Sequence, residues 1–135
     1  MDYASTPPFG GPHNLEWADC TGTVYGVAIR PENAVHSLEH GAVWLTYSPT
    51  LPAEDVAALE ELVAGTDYTM LSPYPGLDAA VSAQSWGRRL SVDSVDDPRL
   101  AAYLLNYRMN PDLTPEPGAP CSNPAFAQSP RTPGS

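Results

Sequence analysis

The sequence PENAVHSLEHGAVWLTY, residues 31–47, predicts a helix followed at once by a strand. Pro31 suits the first position of a helix, Glu32 lies favourably in its first turn, and Gly41 suits its end. The residues after Gly41, AVWLTY, are rich in β-branched and aromatic side chains, which favour a largely buried strand. The centre of the chain is therefore a helix–strand unit.

Further elements are predicted on both sides of this unit. Upstream, residues 23–29 (TVYGVAI) predict a strand. Downstream, a helix begins near Pro52 and ends at Gly65, with its apolar residues on one face. Residues 68–71 then predict a short strand that runs into a turn.

The last third of the predicted domain is a hairpin and a helix. Residues 80–86 and 89–94 predict two strands joined around Gly87, and Asp97 is a good N-cap for a helix that stops before Pro111. The predicted order is β, α, β, α, β, β, β, α. It indicates a small single α+β domain with a mixed or antiparallel sheet and about three helices.

The two ends of the chain are irregular and rich in Pro and Gly. We expect residues 1–22 to form an ordered loop segment that lies across the core, with apolar anchors at Phe9, Leu15 and Trp17. The α+β domain itself spans residues 23–121. Residues 122–135 predict a disordered tail, because their composition offers little to bury.

Charge and composition exclude several classes of function. The 135 residues carry 16 acidic side chains against 6 basic ones, a formal net charge of −10. Nucleic acids and anionic lipid headgroups need a basic surface, so we expect neither nucleic acid nor membrane contact by this chain. No run approaches the 18 or so apolar residues of a transmembrane helix, and no signal peptide is visible. We therefore expect a cytosolic chain or a trimmed extracytoplasmic piece.

The chain has two cysteines, Cys20 and Cys121, far apart in the sequence and without a CxxC motif. One interpretation is a disulfide that ties the N-terminal segment to the C-terminal segment. Closing a ring of about 100 residues would stabilise the fold by roughly 4–5 kcal/mol in the chain-entropy model. The alternative is two free thiols in a cytosolic protein. A disulfide would indicate an oxidising, extracytoplasmic compartment.

The three histidines suggest a metal site. His36 and His40 are four residues apart on the predicted helix, so both imidazoles project from one face and can reach one ion. His13 lies in GGPHN, a loop that could bring in a third ligand. A three-histidine site with an open position suits Zn²⁺ or Cu²⁺. The alternative is three histidines in ordinary structural roles.

The residues around this helix offer further hypotheses for the site. His36 to His40 matches HxxEH, the pattern of inverted zinc peptidases, in which Glu39 would activate water. Those enzymes are much larger, and neighbours on a helix do not face each other. We therefore expect Glu39 and Glu32 to orient an imidazole by accepting a hydrogen bond from its N–H, not to act in catalysis.

Two methionines, Met70 and Met109, are weaker candidates as metal ligands. A thioether ligand would favour copper, although packing explains both residues equally well. No GxSxG motif, calcium-loop spacing or Gly-rich phosphate loop occurs in the sequence. No catalytic residue is therefore assigned.

The motifs GGPHN, HSLEHG and PEPGAPC, in that order, resemble the domain-of-unknown-function family 3105. The resemblance covers most of residues 7–121. It implies bacterial, mostly actinobacterial proteins whose domain follows an N-terminal membrane anchor and lies outside the cytoplasm. The family's histidines correspond to His13, His36 and His40, and its cysteines to Cys20 and Cys121. The family carries no established activity, so the resemblance implies location and candidate sites but no reaction.

Together these observations predict an extracytoplasmic copper- or zinc-binding domain that handles or senses metal. We expect it to be a soluble piece of an anchored protein, with an extracytoplasmic protein as partner. Two alternatives stay open. A purely structural interaction domain would bind no metal and would use exposed aromatic residues as partner contacts. A small zinc-dependent hydrolase would use the HxxEH helix.

Overall fold

A five-stranded sheet forms the centre of the protein in the computed structural model, which describes residue 7 and residues 16–133. The strands are β1 (Thr21–Val24), β2 (Val43–Tyr47), β3 (Thr69–Pro73), β4 (Val81–Ser85) and β5 (Arg88–Val92). The helices are α1 (Pro31–Glu39), α2 (Ala53–Val63), α3 (Pro98–Tyr107) and α4 (Pro124–Gln128).

The strands lie in the order β1-β3-β2-β4-β5. β3 is parallel to both β1 and β2, whereas β4 is antiparallel to β2 and to β5. β1 and β5 are the free edges, so the sheet is open. This mixed sheet with several helices confirms the predicted small α+β domain.

Alternate residues of the central strands point to opposite faces of the sheet, and each face has its own core. On one face, Trp44 and Met70 pack with Leu38 of α1 and with the two cysteines. On the other face, Leu45 and Leu71 pack with residues of α2 and α3. The segments that carry the cysteines therefore share a face of the sheet with α1.

Local signals place most element boundaries correctly. The hairpin turns at Gly87, which has a φ of +75°, and α3 begins after Asp97, whose side chain accepts a hydrogen bond from the backbone N–H of Arg99. α1 begins at Pro31 as predicted, and Gly41, with a φ of +110°, follows its end.

The first strand differs from its prediction. It covers Thr21–Val24 rather than residues 23–29, and the backbone N–H of Tyr25 makes a last hydrogen bond to Leu71 before the chain leaves the sheet. After Tyr25 the chain bends and Val27 is 48% exposed, so the apolar run TVYGVAI does not continue the strand. The strand starts earlier because it continues directly from Cys20.

The C-terminal segment also differs from its prediction. The sequence predicts a disordered tail over residues 122–135, yet α4 forms there and buries Phe126 almost completely. The Phe126 ring meets the Tyr25 ring edge-on, with 5.9 Å between centroids. The buried Phe126 ring, together with hydrogen bonds from Asn123 to Asp19 and Trp17, holds a segment whose overall Pro and Ser content suggests disorder.

The N-terminal loop is described only from Glu16 onward, apart from Pro7, so the predicted anchors Phe9 and Leu15 lie outside the described residues. Trp17 is half-buried. Within the described part of the chain, no helix is both long and apolar enough to cross a bilayer.

Candidate metal centre

The C-terminal end of α1 brings two imidazole rings together. His36 lies in the last turn and His40 caps the helix, with its backbone N–H directed to the carbonyls of His36 and Ser37. The two ring centroids are 4.6 Å apart and their planes meet at 78°. The spacing of four residues therefore places both rings on one face, as predicted.

The third group of the site is Glu116, which arrives from the other end of the chain. Its backbone N–H donates to the Glu39 carbonyl at 3.0 Å, and that of Gly118 donates to the His40 carbonyl at 3.1 Å. The last carbonyls of a helix have no partner inside the helix. The PEPGAPC motif supplies two of them with donors, which holds Glu116 beside the histidines.

The hydrogen bonds of His40 determine which of its ring nitrogens can bind a metal. Nδ1 lies 2.6 Å from the carbonyl oxygen of Pro120, which can only accept, so Nδ1 carries the proton. In the neutral ring, Nε2 then presents a lone pair. It faces the Glu116 carboxylate, with 3.4 Å between Nε2 and Oε2.

Two acceptors that face each other need a cation between them. Neutral Nε2 and a carboxylate oxygen cannot hydrogen-bond to each other, so a proton or a metal ion has to bridge them. An imidazole whose other N–H donates to a backbone carbonyl is the usual arrangement of a metal-binding histidine. His40 is 4% exposed, and the Glu116 side chain is 55% exposed, so the site opens to solvent beside Glu116.

The dimensions of the cluster fit a transition metal. One ligand atom from each of His36, His40 and Glu116 lies within 4.8 Å of the others. Bonds of about 2.0–2.1 Å in a tetrahedral site separate neighbouring ligand atoms by about 3.3–3.4 Å. The His40–Glu116 pair already has that separation.

The Trp17 ring packs against the imidazole rings of both histidines. Its ring centroid is 5.7 Å from that of His36 and 5.2 Å from that of His40. The indole Nε1 is buried and has no hydrogen-bond partner among the described residues. The apolar ring limits the access of water and favours one orientation of the imidazoles.

A disulfide holds the two segments that complete the site. Cys20 and Cys121 are bonded, which confirms the predicted disulfide, and the Cys20 N–H donates to the Cys121 carbonyl at 2.9 Å. Cys121 directly follows Pro120, whose carbonyl orients His40. The Asn123 side chain adds a hydrogen bond to the Trp17 carbonyl at 2.9 Å.

Asp19 is the second link between these segments. Its carboxylate accepts hydrogen bonds from the Asn123 N–H, at 2.6 Å, and from the hydroxyls of Thr21 and Thr23. Burial acts to raise the pKa of Asp19, but the hydrogen bonds from Thr23, Asn123 and Thr21 outweigh it and keep that pKa below its usual value. The carboxylate is therefore an ionised, buried link between the N-terminal and C-terminal segments.

The other candidate residues lie outside the cluster or outside the described part of the chain. His13 lies outside the described residues. Glu32 pairs with Arg30, with 3.5 Å between Oε2 and Nε. Glu39, half-buried, contributes its backbone carbonyl to Glu116.

The two methionines have different surroundings. Met70 is fully buried in the core beside Trp44, as expected for a packing residue. Met109 is close to the site, because its N–H donates to the Gly41 carbonyl at 2.7 Å and its side chain passes Gly41 and Gly118.

Glu116 was not predicted as a ligand, although PEPGAPC was one of the motifs that carried the family resemblance. An acidic residue within that motif was the available signal. Glu116 and His40 are separated by most of the chain, so no local sequence pattern links the two residues.

Comparisons with known proteins give a family but no activity. A family described as a protein of unknown function (DUF3105) matches residues 1–123. No curated protein and no solved structure matches the chain. The match includes all three residues of the cluster, so the function has to be argued from the site itself.

Proposed function

The chain belongs to the DUF3105 family of unknown function, and from its site we propose that it is an extracytoplasmic domain that binds a zinc or copper ion through His36, His40 and Glu116. His13, in the GGPHN loop, is the proposed fourth ligand. The biological role would be metal handling or sensing.

The observation that carries this proposal is the pair of facing acceptors at His40 and Glu116. The Pro120 carbonyl fixes the tautomer of His40 so that its Nε2 lone pair points at the carboxylate, 3.4 Å away. A divalent cation between these atoms would bind both and remove the repulsion between them. The His36 ring, with its centroid 4.6 Å from that of His40, supplies the next nitrogen.

The ligand set favours zinc, with copper as the second candidate. Two histidines and one carboxylate are a common set in zinc sites that keep a position open. Neighbouring ligands of square-planar copper are about 2.8 Å apart at bond lengths near 2.0 Å, closer than the observed 3.4 Å. Copper binds imidazole sites more tightly than zinc does, and the Met109 thioether would add to that preference.

The disulfide supports a location outside the cytoplasm. Cys20 and Cys121 are almost completely buried, and structural disulfides persist in oxidising compartments. A domain of this kind held near a membrane by an anchor outside the matched residues would face the extracytoplasmic space. The formal charge of −10 would also raise the local concentration of cations.

Binding without catalysis is favoured over hydrolysis. Glu116 is the one carboxylate of the described cluster, and a metal-bound carboxylate is not free to act as a base. Glu39 is adjacent to His40 on the helix and its backbone carbonyl is used by Glu116. The HxxEH hydrolase would therefore lack a positioned base.

Calorimetric titration with Zn²⁺ and Cu²⁺ tests the proposal. We expect the protein to bind one ion with a Kd below about 10 μM, that is, about 7 kcal/mol of binding free energy. His36→Ala, His40→Ala and Glu116→Gln should each weaken binding at least about tenfold, as expected when a ligand is lost. Glu61→Gln, an exposed carboxylate on α2, is the matched control and should bind like the unmodified protein.

The same titration separates the alternatives. A Kd above about 10 μM for both metals, or affinities unchanged in all three variants, would contradict the metal proposal and favour the interaction domain. Far-UV circular dichroism checks that His40→Ala folds, and Glu116→Gln, on an exposed side chain, gives an independent result. Weaker binding by His13→Ala would include the loop in the site.

A further inference from the structure

The residues that complete the metal site lie on the segment that the disulfide holds in place. Glu116 and the Pro120 carbonyl both belong to residues 116–121, and Cys121 is the last residue of this segment. Pro120 orients His40 through a hydrogen bond of 2.6 Å, one residue away from the disulfide sulfur. Because only one peptide bond separates Cys121 from Pro120, a displacement of Cys121 also displaces the carbonyl that orients His40.

Other contacts hold the same segment less firmly. The Tyr68 hydroxyl donates to the Ala119 carbonyl at 2.8 Å, and Gly118 donates to the His40 carbonyl at 3.1 Å. These hydrogen bonds would survive cleavage of the disulfide, but residues 116–121 would lose their covalent link to the N-terminal segment. Trp17, which packs against both histidines, lies on the other side of that link.

From this arrangement we infer that the Cys20–Cys121 disulfide and the metal site form one redox-linked unit, an inference that rests on the proposed metal function. Reduction lowers the metal affinity, and a bound metal ion protects the disulfide from reduction. The protein would then hold its ion in an oxidising compartment and release it on contact with a dithiol reductant.

The reaction is ordinary thiol–disulfide exchange. A thiolate of the reductant attacks Sγ of one cysteine, the S–S bond breaks, and the other cysteine leaves as a thiolate that takes up a proton. The second thiolate of the reductant then resolves the mixed disulfide. In total, Cys20 and Cys121 gain two electrons and two protons, and the dithiol is oxidised to its own disulfide.

Burial links this reaction to the metal. Cys20 and Cys121 are 0% and 3% exposed, so a reductant reaches the sulfurs only when the segment opens. Opening moves Pro120 and Glu116 away from His40 and breaks the metal site. A metal ion at 100 times its Kd therefore suppresses opening by up to about 100-fold.

Reciprocity fixes the effect in the other direction. If a bound metal ion shifts the reduction equilibrium of the disulfide by a certain factor, the disulfide raises the metal affinity by the same factor. Because the hydrogen bonds of Gly118 and Ala119 remain after reduction, we expect a loss of affinity of roughly tenfold, within the range of about 5- to 150-fold that is usual for coupled sites.

The test has two independent readouts on the full chain. The first is the Zn²⁺ affinity of Cys20→Ser/Cys121→Ser, which should be roughly tenfold weaker than that of the oxidised protein. The second is the rate at which tris(2-carboxyethyl)phosphine, a non-dithiol probe, exposes alkylatable thiols, counted by mass spectrometry. Saturating Zn²⁺ should slow this rate at least about tenfold.

Two variants serve as controls. His36→Ala binds Zn²⁺ at least about tenfold more weakly, so its reduction rate should not depend on Zn²⁺ at a concentration that saturates the unmodified protein but stays below the variant's own Kd. This control excludes a direct effect of zinc on the phosphine. Gly87→Ala strains the β4–β5 hairpin, which carries neither a cysteine nor a residue of the cluster, and keeps the disulfide, so it should retain the Zn²⁺ affinity of the unmodified protein. Circular dichroism shows whether the double serine variant folds; if it does not, the reduction rate decides alone.

The outcomes distinguish the two proposals. If the oxidised protein does not bind Zn²⁺ or Cu²⁺, the proposed function fails, and this inference fails with it. If the oxidised protein binds Zn²⁺ but its reduction rate is the same with and without the ion, only the redox link is overturned. Slower reduction in the presence of Zn²⁺, absent in His36→Ala, supports the link.

Discussion

At the residue scale, His40 is the most constrained side chain of the proposed metal centre. Pro120 fixes one of its nitrogens and Glu116 faces the other, while Trp17 and His36 pack against its ring. These contacts leave the ring little rotational freedom. A ligand held in this way loses little entropy on binding a metal, which increases affinity.

Asp19 is the residue whose ionisation supports this arrangement. Because its pKa lies below its usual value in the folded protein, the stability it contributes is present above a pH of about 4 and is lost as the pH falls through that lowered pKa. We expect Asp19→Asn to lower the free energy of unfolding by about 2 kcal/mol at pH 7, because hydrogen bonds to a buried charge are lost. Urea denaturation measures this loss.

The effect of Asp19→Asn on the free energy of unfolding should depend on pH. The difference between Asp19→Asn and the unmodified protein should shrink as the pH falls through the lowered pKa of Asp19, where the carboxylate itself becomes protonated. Asp93→Asn, at an exposed carboxylate, should change the free energy of unfolding by less than about 0.5 kcal/mol at any pH. A difference for Asp19→Asn that does not depend on pH would contradict a role for its charge.

At the element scale, two contacts between ends of elements position the site. The end of α1 receives the PEPGAPC segment, and the start of β1 passes against the end of α2. At the second contact, a Cβ on Gly22 would lie 2.7 Å from the Gly65 backbone nitrogen and 2.8 Å from the Val63 carbonyl oxygen. Only a glycine lets β1 pass α2 so closely two residues after Cys20.

Gly22→Ala should therefore be strongly destabilising. Its φ of +78° alone costs an L-residue about 1–2 kcal/mol, and the contacts with backbone atoms, which cannot move aside, raise the total above about 2 kcal/mol. Gly87→Ala is the matched control, because it has nearly the same φ, +75°, but no atom within 4 Å of the added Cβ.

Thermal and urea denaturation of the two glycine variants measure the difference. Gly87→Ala should lose about 1 kcal/mol, from the strained backbone only. Equal losses of unfolding free energy in Gly22→Ala and Gly87→Ala would contradict a close contact between β1 and the end of α2.

At the scale of the whole molecule, the disulfide joins segments 101 residues apart and both lie on the α1 face of the sheet. α4 covers this same face, so Phe126, the cysteines and α1 form one packed unit. The opposite face, packed by α2 and α3, contains neither cysteine. Loss of the disulfide should therefore loosen one face while the other stays packed.

We expect Cys20→Ser/Cys121→Ser to unfold with a free energy up to about 4–5 kcal/mol lower than that of the oxidised protein, because the unfolded chain regains the entropy of an open loop. Urea denaturation without metal measures this difference. Amide hydrogen exchange should show the largest loss of protection at residues 17–20 and 116–126. Because the lost entropy acts on the unfolded state, core amides of the whole sheet also lose protection. Protection at residues 17–20 and 116–126 that falls no further than that of the sheet would argue against a local effect of the disulfide.

The sequence by itself determined the α+β class, the helix–strand unit of residues 31–47, the hairpin at Gly87 and the adjacency of His36 and His40. Each of these follows from signals a few residues apart, such as a proline at a helix start, a glycine at a turn, or a spacing of four on a helix. The two cysteines left a disulfide and a pair of free thiols as open interpretations, and the structure shows the disulfide.

Only the tertiary structure decided that Glu116 completes the cluster, that Pro120 sets the tautomer of His40, and that Phe126 anchors a segment expected to be disordered. Glu116 and His40 are 76 positions apart, and no local pattern encodes which distant segment will supply partners for the carbonyls at the end of α1. That pairing is settled by the packing of α1 on the sheet and by the disulfide that returns the chain to it.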